Sequence, residues 1–234
     1  MENNTDFKTC LFLTSHKLAI GVYEKQSLKK VYYKESLNDQ SIDYIEHKFL
    51  INFLNKNIFE IEKNLKDFVE HINLIVESKE FLTINISIKK NNYGEIITRD
   101  QLNHLLNETK SLCKKTIGDR KVAHMVIDNY LIDGKNYPSF PNNVKCNLFS
   151  FDLRFICLEN KYIQNLENIL KSYQISINRI LNFNYIENFY KDEQEDPFSS
   201  SVKIIEGFNE NEVLIVPKFI KNKGFFERFF NFFS

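Results

Sequence analysis

Three short β-rich runs open the chain, FKTCLFLT (7–14), HKLAIGVYE (16–24) and LKKVYYKE (28–35), separated by brief turns. Runs rich in β-branched and aromatic residues at that spacing predict a small antiparallel meander. The period then changes. In NIFEIEKNLKDFVEHINLIVES, Ile58, Ile61, Leu65, Phe68, Val69, Ile72, Ile75 and Val76 recur at steps of three and four, which predicts an amphipathic helix over 57–78. FLTINISIKK (81–90) returns to strand alternation, and the turn NNYGE follows. Thr98 then precedes a second helical stripe of Leu102, Leu105, Leu106, Leu112 and Ile117, with Gly118 as its stop. VAHMVIDNYLI and NLFSFDLRFICLE predict strands on either side of the loop DGKNYPSFPNN, KYIQNLENILKSY a third helix, and ISINRILNF a further strand. The order is mixed α/β, an α+β arrangement without the strict alternation of a doubly wound sheet.

After Tyr190 the pattern fades. KDEQEDPFSSS combines carboxylates, a proline and three serines without periodicity, which predicts a solvated acidic linker over 191–216. Within it VKIIEGF and VLIVPKF, separated by NENE, read as a small hairpin or as one strand added to a sheet edge. The chain closes on GFFERFFNFFS, which holds six of its 22 phenylalanines. At about 100° per residue, Phe225, Phe226, Phe229, Phe230, Phe232 and Phe233 fill an arc of roughly 140–160°, with Glu227, Arg228 and Asn231 opposite. Lys218, Phe219, Lys221 and Lys223 lead into it. Residues 217–234 therefore read as an interfacial helix binding anionic lipid, with Phe219, Lys221, Lys223, Phe225, Phe226, Arg228, Phe229, Phe230, Phe232 and Phe233 as its contact residues and reversible attachment as its mode. The alternative is a tail docked on the protein's own core.

Composition narrows the chemistry. The chain has 234 residues, enough for one large or two small domains, and its 31 basic and 31 acidic residues cancel, so no global field favours nucleic acid. MENNTDFKTC has neither the charge nor the apolar run of a signal peptide, which places the protein in the cytoplasm. Cys10, Cys113, Cys146 and Cys157 lack CxxC spacing and read as reduced, buried thiols. His104 with Glu108 on one helix face lacks further ligands for a metal, and the six isolated glycines form no phosphate-cradling loop. No GxSxG elbow is present. Neither a catalytic residue, a metal set nor a cofactor site emerges, and no stretch reaches the roughly 18–20 apolar residues of a spanning helix.

One stretch carries a resemblance. HMVIDNYLIDG sets His124, Tyr130, Asp133 and Gly134 at the spacing H-x5-[FY]-x2-D-G of the bacterial cell-division actin homologue FtsA. GEIITRDQLNHLL resembles that family's G-E-I-T-x-x-D-V helix start with one extra isoleucine, and YIQNLENILKSYQISINRIL is similar to its returning helix and strand. The resemblance covers roughly residues 7–190. It implies an actin-like first subdomain from 1–50 and 158–190, an inserted α/β subdomain from 51–157, then the linker and the amphipathic anchor. Two departures accompany it. Where the family's first hairpin resembles L-D-I-G-T-S and holds nucleotide phosphate, this chain has LFLTSHK, with Phe12 or Leu13 at the aspartate and Thr14 at the glycine. The family also continues into a second lobe that completes the nucleotide cleft and receives the tail of FtsZ, whereas about 40 residues follow Tyr190 here. The expected protein is thus a non-catalytic adaptor, binding no nucleotide, held peripherally on the cytoplasmic side of the inner membrane. Its partners would be anionic lipids, division proteins and other copies of itself. A pilus-assembly actin-like adaptor and a soluble protein-binding module are the alternatives.

Overall fold

The structure, a computed structural model, describes residues 7–37, 47–141, 143–191 and 195–213. Two sheets organise them. The first is five-stranded: β1 (Phe7–Leu13), β2 (Lys17–Glu24), β3 (Lys30–Leu37), β4 (His71–Val76) and β9 (Ser176–Asn182), in the order β3-β2-β1-β4-β9. The meander β1–β2–β3 is antiparallel, while β4 lies parallel to both β1 and β9. Alternation along these strands sorts their side chains to two cores. Leu11, Leu13, Leu18, Ile20, Ile72 and Leu74 face helices α1 (His47–Leu65) and α3 (Asn160–Lys171), whereas Cys10, Phe12, Ala19, Tyr23 and Ile75 face α4 (Phe183–Tyr190) and α5 (Pro197–Ile205). Covered on both faces, β4 has no exposed residue after His71.

The second sheet is four-stranded, in the order β5-β8-β6-β7, from β5 (Phe81–Asn91), β6 (Arg120–Ile132), β7 (Lys135–Tyr137) and β8 (Leu148–Glu159). One face packs on α2 (Arg99–Thr116), where Leu102, Leu105, Leu106 and Cys113 meet Met125, Ile127, Phe151, Leu153 and Phe155. Thr98 starts α2 with a reciprocal capping box, its side chain accepting from Gln101 N–H while Gln101 reaches back to Thr98 N–H.

The mixed α/β order holds, with β7 arising inside the predicted loop 133–143 and α4 where no helix was read, and two further readings are overturned. The helix predicted over 57–78 spans 47–65 and ends where Lys66 takes a positive φ of 56°. Ile58 and Ile61 are buried as the period requires, but Phe68 is 78% exposed and HINLIV is the interior strand β4. A short run of β-branched residues buried on both faces satisfies a helical period by accident. As a result residues 51–76, placed with the inserted unit by the resemblance, lie in the five-stranded layer, and the four-stranded sheet begins only after β4.

The second correction concerns the acidic linker. Asp196 caps a helix, accepting from Phe198 N–H at 3.0 Å and Ser199 N–H at 3.3 Å, and Pro197 opens its first turn. Phe198, Val202 and Ile204 enter the core, and Ser200 and Ser201 are buried with them. Their hydroxyls donate to carbonyls one turn back, Ser200 to Asp196 O and Ser201 to Pro197 O, so neither is an unsatisfied polar group. Gly21 on β2 makes the fit possible, since a Cβ there would lie 2.2 Å from the Phe198 ring. VKIIEGF thus supplies the end of α5 rather than a hairpin strand, and the chain after it, up to Val213, runs onto β6.

Candidate functional site

Where the two sheets meet, charge is buried. His124 on β6 and Glu212 after α5 have side chains 0% and 2% exposed, and the imidazole Nδ1 lies 2.7 Å from the carboxylate Oε1. Asn182 at the end of β9 donates its backbone N–H to His124 Nε2 at 2.9 Å. That donor requires a bare Nε2, so the proton sits on Nδ1 and is donated to Glu212. Arg179 of β9 closes the pair, bonding Glu212 through one nitrogen and Ile204 O through the other at 3.0 Å. Tyr185 Oη donates to Glu212 Oε2 at 3.3 Å and accepts from Asn209 Nδ2 at 2.6 Å. Burial pulls the imidazole below its ordinary 6.5, against the opposing pull of Glu212. Burial would push the Glu212 carboxyl up, but the hydrogen bond from His124 and the Arg179 guanidinium outweigh it and hold the group below the usual carboxylate range. The site is therefore a neutral imidazole beside a carboxylate–guanidinium pair.

This network fastens a strap. Residues 211–213 run antiparallel along β6, with Ile127 N–H donating to Asn211 O at 2.9 Å and Val213 N–H to Met125 O at 2.8 Å. Asn211 Nδ2 also holds Pro138 O at 2.9 Å. The strap ties the four-stranded sheet to β9 and α4 of the other.

The β1–β2 hairpin, where the resemblance would put phosphate, is closed by side chains. Phe12 and Leu13 are 2% and 0% exposed and point into opposite cores. Thr14 Oγ1 donates to Lys17 O at 3.0 Å, while the N–H and hydroxyl of Ser15 both donate to Glu77 Oε2 at 3.0 Å. A carboxylate holds the amide that an anion would need.

Between α4 and the four-stranded sheet opens a cleft of about 490 Å3, lined among others by Phe81, Thr83, Arg154, Asn184, Asn188 and Phe189. Arg154 pairs with Asp128 at 2.8 Å, and its Nε has no hydrogen-bond partner among the described residues.

The sequence-predicted contact residues Phe219, Lys221, Lys223, Phe225, Phe226, Arg228, Phe229, Phe230, Phe232 and Phe233 lie outside the described residues. The motif residues do not converge on a ligand. His124 belongs to the seam, and Tyr130 is core, its ring 5.8 Å from Phe140. Asp133 and Gly134, with φ of 45° and 81°, make the two-residue turn from β6 to β7. The Asp133 carboxylate also accepts the N–H groups of Asn147 and Leu148. His104 and Glu108 form an exposed pair at 3.6 Å, and the four cysteines are free and buried. Among the described residues no cluster of three His, Cys, Asp or Glu side chains could hold a metal, and no helix is long and apolar enough to cross a membrane. Glu212, Arg179 and Tyr185 escaped the sequence reading. Glu212 stands in NENE, which patterns as a turn, and only the histidine of the motif hinted that a partner was needed.

No protein-family profile and no curated protein matches the chain. Solved structures do. The PilM–PilN type IV pilus biogenesis complex matches with a TM-score of 0.51 at 6% identity, over 80% of this chain and 50% of that one. The cytoplasmic domain of EpsL, an inner membrane component of the Vibrio cholerae type II secretion system, matches with a TM-score of 0.38 at 10% identity, over 77% of this chain and 58% of that one. A Bacteroides thetaiotaomicron protein with an actin-like ATPase fold and unknown function matches with a TM-score of 0.34 at 15% identity, over 82% and 60%. The chain spans about half the length of the first of these, and at such identity the likeness is one of fold.

Proposed function

We propose that the protein is a non-catalytic adaptor that serves a membrane-associated assembly, receiving a segment of a partner protein in the cleft between α4 and the four-stranded sheet. The observation that carries this is the contrast between that cleft, open and lined by aromatic and amide groups, and the β1–β2 turn, whose Ser15 N–H is already taken by Glu77. A phosphate approaching the turn would meet a carboxylate. Attachment to the inner face of the membrane is assigned to residues 217–234, whose phenylalanine arc supplies an apolar surface and whose lysines favour anionic lipid.

Two kinds of assembly fit. The fold likeness to the PilM–PilN complex favours a pilus-type assembly partner. The run His124, Tyr130, Asp133, Gly134 favours a cell-division partner instead, by its resemblance to FtsA. A photo-crosslinking residue at Asn188, in cells carrying the full chain, discriminates: a pilus or secretion component or a division component in the adduct selects between them, and no adduct above that of a distant surface site sinks the cleft reading. Magnesium ATP tests the non-catalytic part, because a ligand that binds the folded state raises the melting temperature. No shift is expected, and a clear stabilisation overturns it.

A further inference from the structure

The two edges of the four-stranded sheet are finished differently. On one side β6 is covered by β7 at Tyr130–Ile132 and by the strap at Met125–Ile127. On the other, β5 runs 11 residues with unbroken register to β8, from Phe81↔Leu158 to Asn91↔Leu148, and no strand among the described residues lies beyond it. Natural edges are blunted by proline, bulges or charge. Here there is no proline and no bulge, and lysine stands only at Lys89 and Lys90, leaving Phe81 to Ile88 uncharged. Ile84, Ile86 and Ile88 pack on the α2 core yet remain half-buried.

We propose that β5 pairs with β5 of a second copy of this chain, antiparallel about a two-fold axis at Ile86, joining two four-stranded sheets into one. The strand's own pattern selects that occupant. Full overlap sets Phe81 against the partner's Asn91 and so centres the axis on Ile86. In this register Ile84 meets the partner's Ile88, and Ile86 meets the partner's Ile86, so the half-buried isoleucines cover one another. On the opposite face Thr83 meets the partner's Lys89 and Asn85 the partner's Ser87. No like charges face each other, whereas sliding toward the lysine ends would oppose them. The same surface is used by both copies, so the contact closes as a dimer rather than propagating. The pairing stands on β5 alone, whatever assembly the protein serves.

Sedimentation equilibrium of the purified full chain tests it. A monomer–dimer equilibrium is expected, weakened about tenfold by Thr83→Lys, which creates two like-charge contacts with Lys89 by symmetry. Thr83→Glu at the same exposed position should instead leave the dimer as tight or tighter, since a carboxylate then faces Lys89. Because the four native cysteines are buried, Asn85→Cys adds a lone accessible thiol, and a short bifunctional maleimide should link two copies through it. A monomer at the highest attainable concentration overturns the proposal and leaves the edge to a different protein. A dimer indifferent to the sign of the charge at position 83, or weakened equally by both, also overturns it.

Discussion

The five-stranded sheet carries helices on both faces, while the four-stranded sheet is covered by α2 on one face and, on the other, is buried only where His124, Val126 and Ile156 join the seam, leaving the polar side of β5 to solvent. The difference shows along single strands. In β4 five successive residues are buried, whereas β5 alternates between half-buried isoleucines and exposed Thr83, Asn85 and Ser87. A strand with two covered faces has no polar phase left to mark it, and one with a single covered face announces itself. The first sheet is built for burial, and the second keeps surface available.

Substitutions should therefore cost very different amounts in the two. Leu74→Ala, at a fully buried position of β4, should lower stability by about 4 kcal/mol in urea unfolding, as transfer and cavity costs add. A loss under about 1 kcal/mol would mean that this layer repacks freely, and the contrast would fail. Next comes the seam that joins the sheets. Glu212→Ala leaves Arg179 and the His124 N–H without their carboxylate, and because the Arg179 side chain is 19% exposed some of its charge is recovered by water. A loss of about 3 kcal/mol is expected, together with faster amide exchange at Ile127, whose N–H holds the strap. Stability loss without that local exchange would separate the carboxylate from strap closure.

The seam also sets a pH dependence. The folded pKa values of both His124 and Glu212 lie below their ordinary values, so the unfolded chain binds more protons on acidification and stability falls as pH drops. His124 contributes first, below its ordinary value of 6.5, and Glu212 follows below 4.5. One extra proton corresponds to about 1.4 kcal/mol per pH unit. Between the two values His124→Gln should flatten the slope of melting temperature against pH, and an unchanged slope would show that other groups govern it. The smallest effect belongs to the open face: Asn85→Ala should stay within about 0.5 kcal/mol of the parent. A larger loss would reveal that this face is covered.

These elements also explain what could be read in advance. β3, β5, α2, β6, β8, α3 and β9 each have a polar phase, a cap or a turn residue that local pattern exposes, such as Thr98 before α2 or Asp133–Gly134 after β6, whereas β1 and β2, buried as continuously as β4, were marked by the short turns that separate them. β4 lacks that phase. α5 was hidden by the opposite error, because Ser200 and Ser201 pattern as solvated residues although backbone carbonyls within their own helix satisfy them. The seam was beyond local reading. His124 and Glu212 are 88 residues apart, and the reason to bury either one is the other.

The insertion of the four-stranded sheet between β4 and β9 also orders the events of synthesis. Residues 81–159 are contiguous and carry β5, β6, β7, β8 and α2, so this unit can form as soon as it has left the ribosome. The five-stranded sheet must wait, because β4 takes its second neighbour from β9, 105 residues further along at the His71↔Ser176 pair. Non-local parallel pairing of this kind is slow, and a nascent chain would meanwhile hold β4 with one side unpaired, exposed to wrong partners. Pulsed hydrogen exchange during refolding should accordingly protect β6 and β8 before β4, and the reverse order would refute this account. Of the described elements the strap arrives last, and with it the carboxylate that His124 has been waiting for.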